Sequence, residues 1–209
     1  MKRILALLLA ILTLLPLLAA CGGGGDYVTE EEILPVARDL IERSVPVNVA
    51  FLGEGIPTKV GSTSVGKYFP ADDAWMETYG IASLDELKEA AESVYTSALI
   101  SVIYAKAFPE GELYYEYQER SIATGKGILV LEGREPLLSW YTGVTHEYHY
   151  DTMRMTDAGV GTAKVKLDVT VTKNGESQTR ALELKLVLTE NGWRCDNFTP
   201  VAFLEPEDQ

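Results

Sequence analysis

The chain has 209 residues, with 18 Lys and Arg against 31 Asp and Glu and a net charge of −13. So negative a field excludes a nucleic-acid binder, because phosphate contacts demand Lys and Arg. It also opposes lying flat on anionic lipid, and leaves an acidic surface that serves solubility or a basic partner. The two cysteines, Cys21 and Cys195, are too few for a disulfide framework.

Lys2 and Arg3 precede an apolar run from Ile4 to Leu18, followed by Leu18-Ala19-Ala20-Cys21 and four glycines, Gly22–Gly25. A basic start, a short apolar core and small residues before the cut make a secretory signal peptide. The run is shorter than the about 20 residues a membrane span needs, and Pro16 interrupts it. Leu18-Ala19-Ala20-Cys21 resembles a bacterial lipobox at each position. That resemblance implies cleavage before Cys21, a lipid on its sulfur, and a mature protein anchored on the extracytoplasmic face of the cell membrane. Residues 1–20 are then the signal peptide, residues 21–28 a lipidated tether made flexible by its glycines, and residues 29–205 one domain. Cleavage removes Lys2 and Arg3 and no acid, so 16 bases face 31 acids, or −15. Gly22 follows Cys21 where an inner-membrane retention signal would carry Asp.

Thr29-Glu30-Glu31-Glu32 opens as a capping box. It predicts a helix to about Arg43, with Pro35 tolerable only near the first turn. Residues 45–61 are apolar but broken by Pro46, Gly53, Gly55 and Pro57, and residues 61–80 read as irregular. Ser83-Leu84-Asp85-Glu86 is a second capping box. Leu84, Leu87, Ala91, Val94, Tyr95, Ala98 and Val102 then follow helical spacing to about Ala107, as one helix or as a pair breaking near Tyr95-Thr96. Phe108-Pro109-Glu110-Gly111 ends it.

The rest is strand-like. Asn174-Gly175 is a hairpin turn signal that sets Leu167 opposite Leu182, Val165 opposite Leu184 and Ala163 opposite Leu186. Lys166 then meets Glu183, and Lys164 meets Lys185, a like-charge conflict. Asn191-Gly192 is a second turn that sets Cys195 opposite Leu188, on the core face. The expected meander is 160–172, 179–190 and 193–199, with earlier strands at 113–120, 127–132 and 144–155. Helices first and antiparallel strands after give an α+β domain, with N-terminal helices packed on one face of a curved antiparallel sheet.

That order, with the ending Leu186-Val187-Leu188-Thr189-Glu190-Asn191-Gly192-Trp193-Arg194, resembles the NTF2-like (cystatin-like) superfamily. The stretch Ile81–Thr96 followed by Leu113-Tyr114-Tyr115 is similar to extracytoplasmic members, among them IseA-type inhibitors of peptidoglycan DL-endopeptidases. The resemblance spans about residues 30–204 and implies a cone-shaped fold. The superfamily hosts enzymes, binders and interaction modules, so it does not fix function.

Gly61-Ser62-Thr63-Ser64-Val65-Gly66-Lys67 approaches a phosphate-binding loop, but Tyr68 and Phe69-Pro70 stand where the Ser or Thr and the helix should follow. In the predicted strand Thr145–Asp151, alternation places Glu147, His149 and Asp151 on one face and His146, Tyr148 and Tyr150 on the other. The first set has metal or acid–base chemistry, but the chain's two histidines fall on opposite faces, and a solvated strand face is the simpler reading. The second set is either core or the lining of a concave pocket. Aromatic residues are dense at Tyr114, Tyr115, Tyr117, Trp140, Tyr141, Tyr148 and Tyr150. Trp140-Tyr141 lies between Pro136 and Gly143, a loop position suited to a pocket mouth. Trp140, Tyr141, His146, Tyr148 and Tyr150 are therefore the candidate ligand-binding residues and Cys21 the lipidation site. No metal, cofactor or catalytic residue is assigned. The leading expectation is a non-enzymatic, membrane-tethered module that binds a partner, an envelope protein or a small ligand, through its concave face and acts on cell-wall enzymes. A small-ligand or peptidoglycan-fragment binder is second, and an NTF2-like enzyme using His146 is third.

Overall fold

The computed structural model describes residues 27–108, 114–118, 126–133 and 135–204. The signal peptide, the lipobox with Cys21, the Pro109–Gly111 stop and Leu113 lie outside the described residues. Among the described residues, four α-helices, α1 (Glu30–Val47), α2 (Asp73–Tyr79), α3 (Leu84–Val94) and α4 (Ser97–Ala107), pack with two antiparallel sheets. One sheet has the order β1-β3-β2, from β1 (Tyr68–Pro70), β2 (Tyr114–Gln118) and β3 (Lys126–Leu131). The other has the order β4-β5-β6-β7, from β4 (Val144–Gly159), β5 (Thr162–Lys173), β6 (Glu176–Thr189) and β7 (Gly192–Cys195). This is the α+β class expected: helices on a curved antiparallel sheet.

The meander forms around Asn174-Gly175. Both residues take positive φ, 52° and 84°, as a type I′ turn requires. Leu167 pairs with Leu182, Val165 with Leu184, Ala163 with Leu186 and Lys164 with Lys185, as the turn dictates. The second hairpin differs from expectation by two residues. Gly192 has φ 94° and Asn191 does not have positive φ, so Glu190 and Asn191 form the turn and Gly192 becomes the left-handed residue of a bulge. Cys195 therefore faces Leu186, not Leu188. The slip is even, so the face is kept: Cys195 is fully buried, while Leu188 ends half-exposed. β7 stops at Cys195, where Asn197 takes over the pairing, its side-chain oxygen accepting the Lys185 amide at 2.7 Å.

α1 runs past its expected end at Arg43. Pro35 and Pro46 both sit inside it, and after Pro46 the backbone widens into a π-turn, Asn48–Leu52, in which the Gly53 amide reaches the Asn48 carbonyl at 2.9 Å. Proline removes a backbone donor, and a π-turn relaxes the ladder beyond it. The stretch 61–80 is also more ordered than expected. β1 pairs with β3, and Asp72 caps α2 by accepting the Trp75 amide at 2.9 Å. The second predicted helix is two helices: Tyr95 and Thr96 are extended, ending α3 and starting α4. That break resets the helical phase, so Ile100, Ile103 and Ala107 are buried and Val102 is 51% exposed.

α1 lies over the inner face of the larger sheet. Its Ile33, Ala37, Leu40 and Ile41 join Val165, Leu167, Val169, Leu184 and Cys195 in one core that also takes in Ile81, Leu87 and Ile128. At the π-turn Phe51 meets the rings of Tyr104, Phe108 and Tyr114 edge-on or tilted, with centroids 5.7–6.2 Å apart. The Tyr114 hydroxyl donates to the Ala50 carbonyl.

A buried polar knot ties α1 to the C-terminal segment. Asn48 Nδ2 donates to Thr199 Oγ1 at 2.7 Å and to Ser44 Oγ at 3.2 Å. Ser44 and Thr199 hydroxyls meet at 2.7 Å, and Tyr95 donates to Asn48 Oδ1. Buried polar groups cost little when paired and about 1–3 kcal/mol when orphaned. Asn48→Leu, close to isosteric, removes the acceptor of the buried Tyr95 hydroxyl, while Thr199 keeps its bond to Ser44. It is expected to lower unfolding free energy by about 1–3 kcal/mol in urea titration. Glu183→Gln on the exposed outer face of β6 is expected to change it by less than about 0.5 kcal/mol.

Candidate functional site

The five sequence-selected residues come together. Trp140 and Tyr141 occupy a 3₁₀ turn, Ser139–Tyr141, just before β4, and β4 carries His146, Tyr148 and Tyr150 on its inner face. The rings form one row. Centroid distances are 6.1 Å for Trp140–Tyr141, 5.3 Å for Tyr141–His146, 6.1 Å for His146–Tyr148 and 6.3 Å for Tyr148–Tyr150. The Arg38 guanidinium of α1 closes the row, 4.7 Å from the Tyr150 ring centre. Stacked and tilted pairs at these distances are each worth about 0.5–1.5 kcal/mol beyond area burial.

Two local features set the Trp140 end. The Leu138 amide donates to the Leu52 carbonyl at 2.9 Å, fastening the 3₁₀ turn to the end of the π-turn. Gly53 then leaves room for Tyr141: a Cβ at Gly53 would lie 2.6 Å from Tyr141 Cδ1. Burial pushes the Tyr141 hydroxyl up to about 12 and also raises Tyr148 and Tyr150. These phenols stay neutral and act as amphipathic surfaces with hydrogen-bonding tips.

The inner face is not an open pocket. α1 covers most of it, and the segment Thr199–Leu204 straps across the rest. His146 Nε2 lies 2.7 Å from the Val201 carbonyl and 3.1 Å from the Val201 amide. Arg180 donates to the Ala202 carbonyl at 2.6 Å, and the Gln178 amide binds both backbone groups of Leu204 at 2.8 and 3.1 Å. Val201 and Phe203 are buried by this strap. The aromatic row is thus half-buried, with its rim facing outward. Clefts open elsewhere, the larger ones about 630 Å³ between α1, α2 and α3 and about 570 Å³ beside Phe69 and Val130.

The opposite face of β4 gathers no metal site. Glu147 and Asp151 are exposed, and His149 Nε2 bonds Thr170 Oγ1 at 2.7 Å. Between His149 and Arg154 the pairing register shifts. Thr152 fills the irregularity: its hydroxyl donates to the His149 carbonyl at 2.7 Å and accepts the Asp168 amide at 2.8 Å. Among the described residues, no three His, Cys, Asp or Glu gather where they could hold a metal ion. The loop Gly61–Lys67 makes turns with positive φ at Gly61 and Gly66 and leads into β1, not into a helix N-terminus, so it lacks the phosphate-loop geometry. Burial pushes the Cys195 thiol up to about 12, an inert core group. The side chains of Tyr115 and Tyr117 lie outside the described residues.

Sequence reasoning missed Arg38, Gly53, Thr199 and the clamp of Gln178 and Arg180. Thr199 could be noticed only as the end of a formal sequon, Asn197-Phe198-Thr199, which says nothing of its burial. The chain matches no protein-family model, and no curated protein matches it.

Burial lowers the His146 pKa, opposed by its bond to the Val201 backbone. The unfolded chain takes up this proton near pH 6.5 and the folded chain only below that. The contribution to stability is therefore full above about pH 6.5 and lost as pH falls through the folded value. The melting temperature is expected to drop between about pH 8 and about pH 5, and to drop less in His146→Gln. Gly53→Ala is expected to displace Tyr141 at a cost of about 1–3 kcal/mol, read as lost near-ultraviolet dichroism and altered Trp140 emission.

Proposed function

We propose that this protein is a lipid-anchored, extracytoplasmic, non-enzymatic binding module related to the NTF2-like domains. The lipobox at Leu18–Cys21 carries the anchor, and the aromatic row carries the binding. The single observation behind the binding reading is the continuity of Trp140, Tyr141, His146, Tyr148 and Tyr150 along one half-buried rim. Aromatics with polar tips concentrate at recognition surfaces, where they give large contact area for little lost freedom. The tethering geometry supports the same reading. α1 begins at the tether, and its 18 residues span about 27 Å. The Trp140 end of the row abuts its far end, so that rim faces away from the membrane toward the wall and its proteins. The acidic mature chain favours a partner with a basic face, such as a wall-acting envelope enzyme.

Chemistry is secondary on this reading, because His146 is committed to the Val201 backbone and the tyrosines are held neutral. The binding of a peptidoglycan fragment is the alternative, favoured by the Trp140–Tyr141 edge. A photo-cross-linking residue at position 140, expressed in the native envelope, is expected to capture one envelope protein reproducibly. A probe at Thr170 on the outer sheet face is expected to capture none. Equal capture at both positions contradicts the binding rim. A thermal shift with a muropeptide that disappears in Trp140→Ala selects the small-ligand reading, and turnover abolished by His146→Ala in a folded protein selects an enzyme.

A further inference from the structure

The aromatic row stands on a strand with an open edge. Among the described residues β4 pairs with β5 alone. β5 buries each inner-face residue from Ala163 to Val171, whereas none of the 16 residues of β4 is buried. The sheet fixes which backbone groups that edge presents, because in an antiparallel pair alternate residues turn both N–H and C=O to the same side. Lys185 of β6 turns its amide to Asn197 Oδ1 at 2.7 Å and its carbonyl to the Asp196 amide at 2.8 Å, away from β5. Its partner Lys164, and with it Asp168, Thr170 and Thr172, therefore turns toward β4. The Asp168 amide does so, donating to Thr152 Oγ1 at 2.8 Å. Thr172 and Thr170 pair with Thr145 and Glu147, so the intervening His146 and Tyr148 turn N–H and C=O outward. Among the described residues no protein group bonds those backbone groups.

Edge strands are ordinarily blunted by lysine, proline or a bulge. Val144–His149 contains neither residue, and the register shift comes only after His149. Two different surfaces flank this edge. On the inner side lie the rings of His146, Tyr148 and Tyr150. On the outer side Glu147 and Asp151 are exposed, and among the described residues neither carboxylate has an ion-pair or hydrogen-bond partner. Asp168, the cross-strand neighbour of His149, adds a third acid to that side. The outer-face bases of β4 and β5, Arg154, Lys164 and Lys166, pair with one another or with Asp157 beyond the register shift. A second copy of the chain brings the same acids to the same edge, whereas a basic segment neutralises them.

We propose that the site takes an extended basic segment of its protein partner by strand addition. The segment pairs antiparallel with β4 over Val144–Tyr150, exchanging main-chain bonds with His146 and Tyr148. Its apolar side chains lie beside His146, Tyr148 and Tyr150, and its intervening Lys or Arg side chains face Glu147 and Asp151. In such complexes main-chain bonds give affinity and alternate side chains give specificity. Aromatic with β-branched pairs and opposite-charge pairs are both favourable across strands. The proposal rests on the aromatic row being the recognition surface, and names the form and charge of what that surface recognises.

The test uses the full protein purified from its envelope in dodecyl maltoside, with an acetylated and amidated heptapeptide, Lys-Val-Lys-Val-Lys-Val-Lys, as the probe. Amide hydrogen exchange and tryptophan emission are read together. The peptide is expected to slow exchange at the His146 and Tyr148 amides by about tenfold. N-methylation of its valines, whose donors face β4 in the antiparallel pairing, is expected to abolish that protection. N-methylation of its lysines, whose donors face away, is expected to keep it. Glu147→Lys combined with Asp151→Lys is expected to weaken binding by about tenfold, with the fold verified by a Cys195 thiol that stays protected. Glu183→Lys combined with Glu190→Lys, exposed on the far side of the sheet, is expected to change it by less than about twofold. A change in emission without protection, or equal binding of the two methylated peptides, overturns strand addition and leaves the aromatic row as a recognition surface. A peptide that changes neither emission nor exchange also overturns it, and the row then stands or falls on capture at position 140. Protection of these amides in the protein alone, rising with its concentration, gives the edge to a second copy and overturns the proposal as well.

Discussion

The architecture depends on one long contact, α1 laid along β4 and held at its far end by the Ser44–Asn48–Tyr95–Thr199 knot. The apolar stripe Ile33, Ala37, Leu40 and Ile41 supplies the burial that places the helix on the sheet. Apolar contact alone would leave the helix free to slide or rotate, whereas a buried set of mutually satisfied donors and acceptors has one good register. The knot sits where Pro46 interrupts the helical ladder and the π-turn begins. There the chain delivers Phe51 to the second sheet and Gly53 to the aromatic row.

The candidate site follows from that placement. With α1 and the Thr199–Leu204 strap covering the inner face, the row on β4 cannot line a deep cavity. It becomes a rim, packed from behind and open along its edge. His146 shows the consequence: a residue with general acid–base chemistry is instead spent holding the strap through Val201. The shape argues for recognition over a broad, shallow area, as in protein partners, more than for enclosure of a small molecule.

Much of the large sheet was legible because its signals are local. Asn174-Gly175 demands one turn type, and alternating Val and Leu fix which face is buried. The β7 register was misread because Asn191-Gly192 looks the same in sequence but serves a turn-plus-bulge, a choice made by the strands it joins. The fate of Pro46 was illegible for a different reason. Local propensity says that proline ends a helix, and only tertiary packing of Ala50, Phe51 and Leu52 makes a π-turn the better continuation. The aromatic row was partly legible: alternation put His146, Tyr148 and Tyr150 on one face, and the turn residues marked Trp140-Tyr141. That these two sets are continuous, and that Arg38 caps them, depends on contacts between residues distant in sequence. Thr199 gave no signal, since a hydroxyl in a polar tail resembles any other until a helix closes over it.

The anchor and the domain support each other in this account. α1 starts at Glu30 and the aromatic rim lies past its far end, where Leu138 bonds Leu52, so an anchor at Cys21 would leave the rim free. The most direct measurement is the intact mass, with N-terminal fragmentation, of the protein extracted from its native membranes. A lipid-anchored protein is expected to give a chain beginning at Cys21 and carrying a diacylglyceryl group on its sulfur. A chain beginning elsewhere, or an unmodified Cys21, would contradict the anchor.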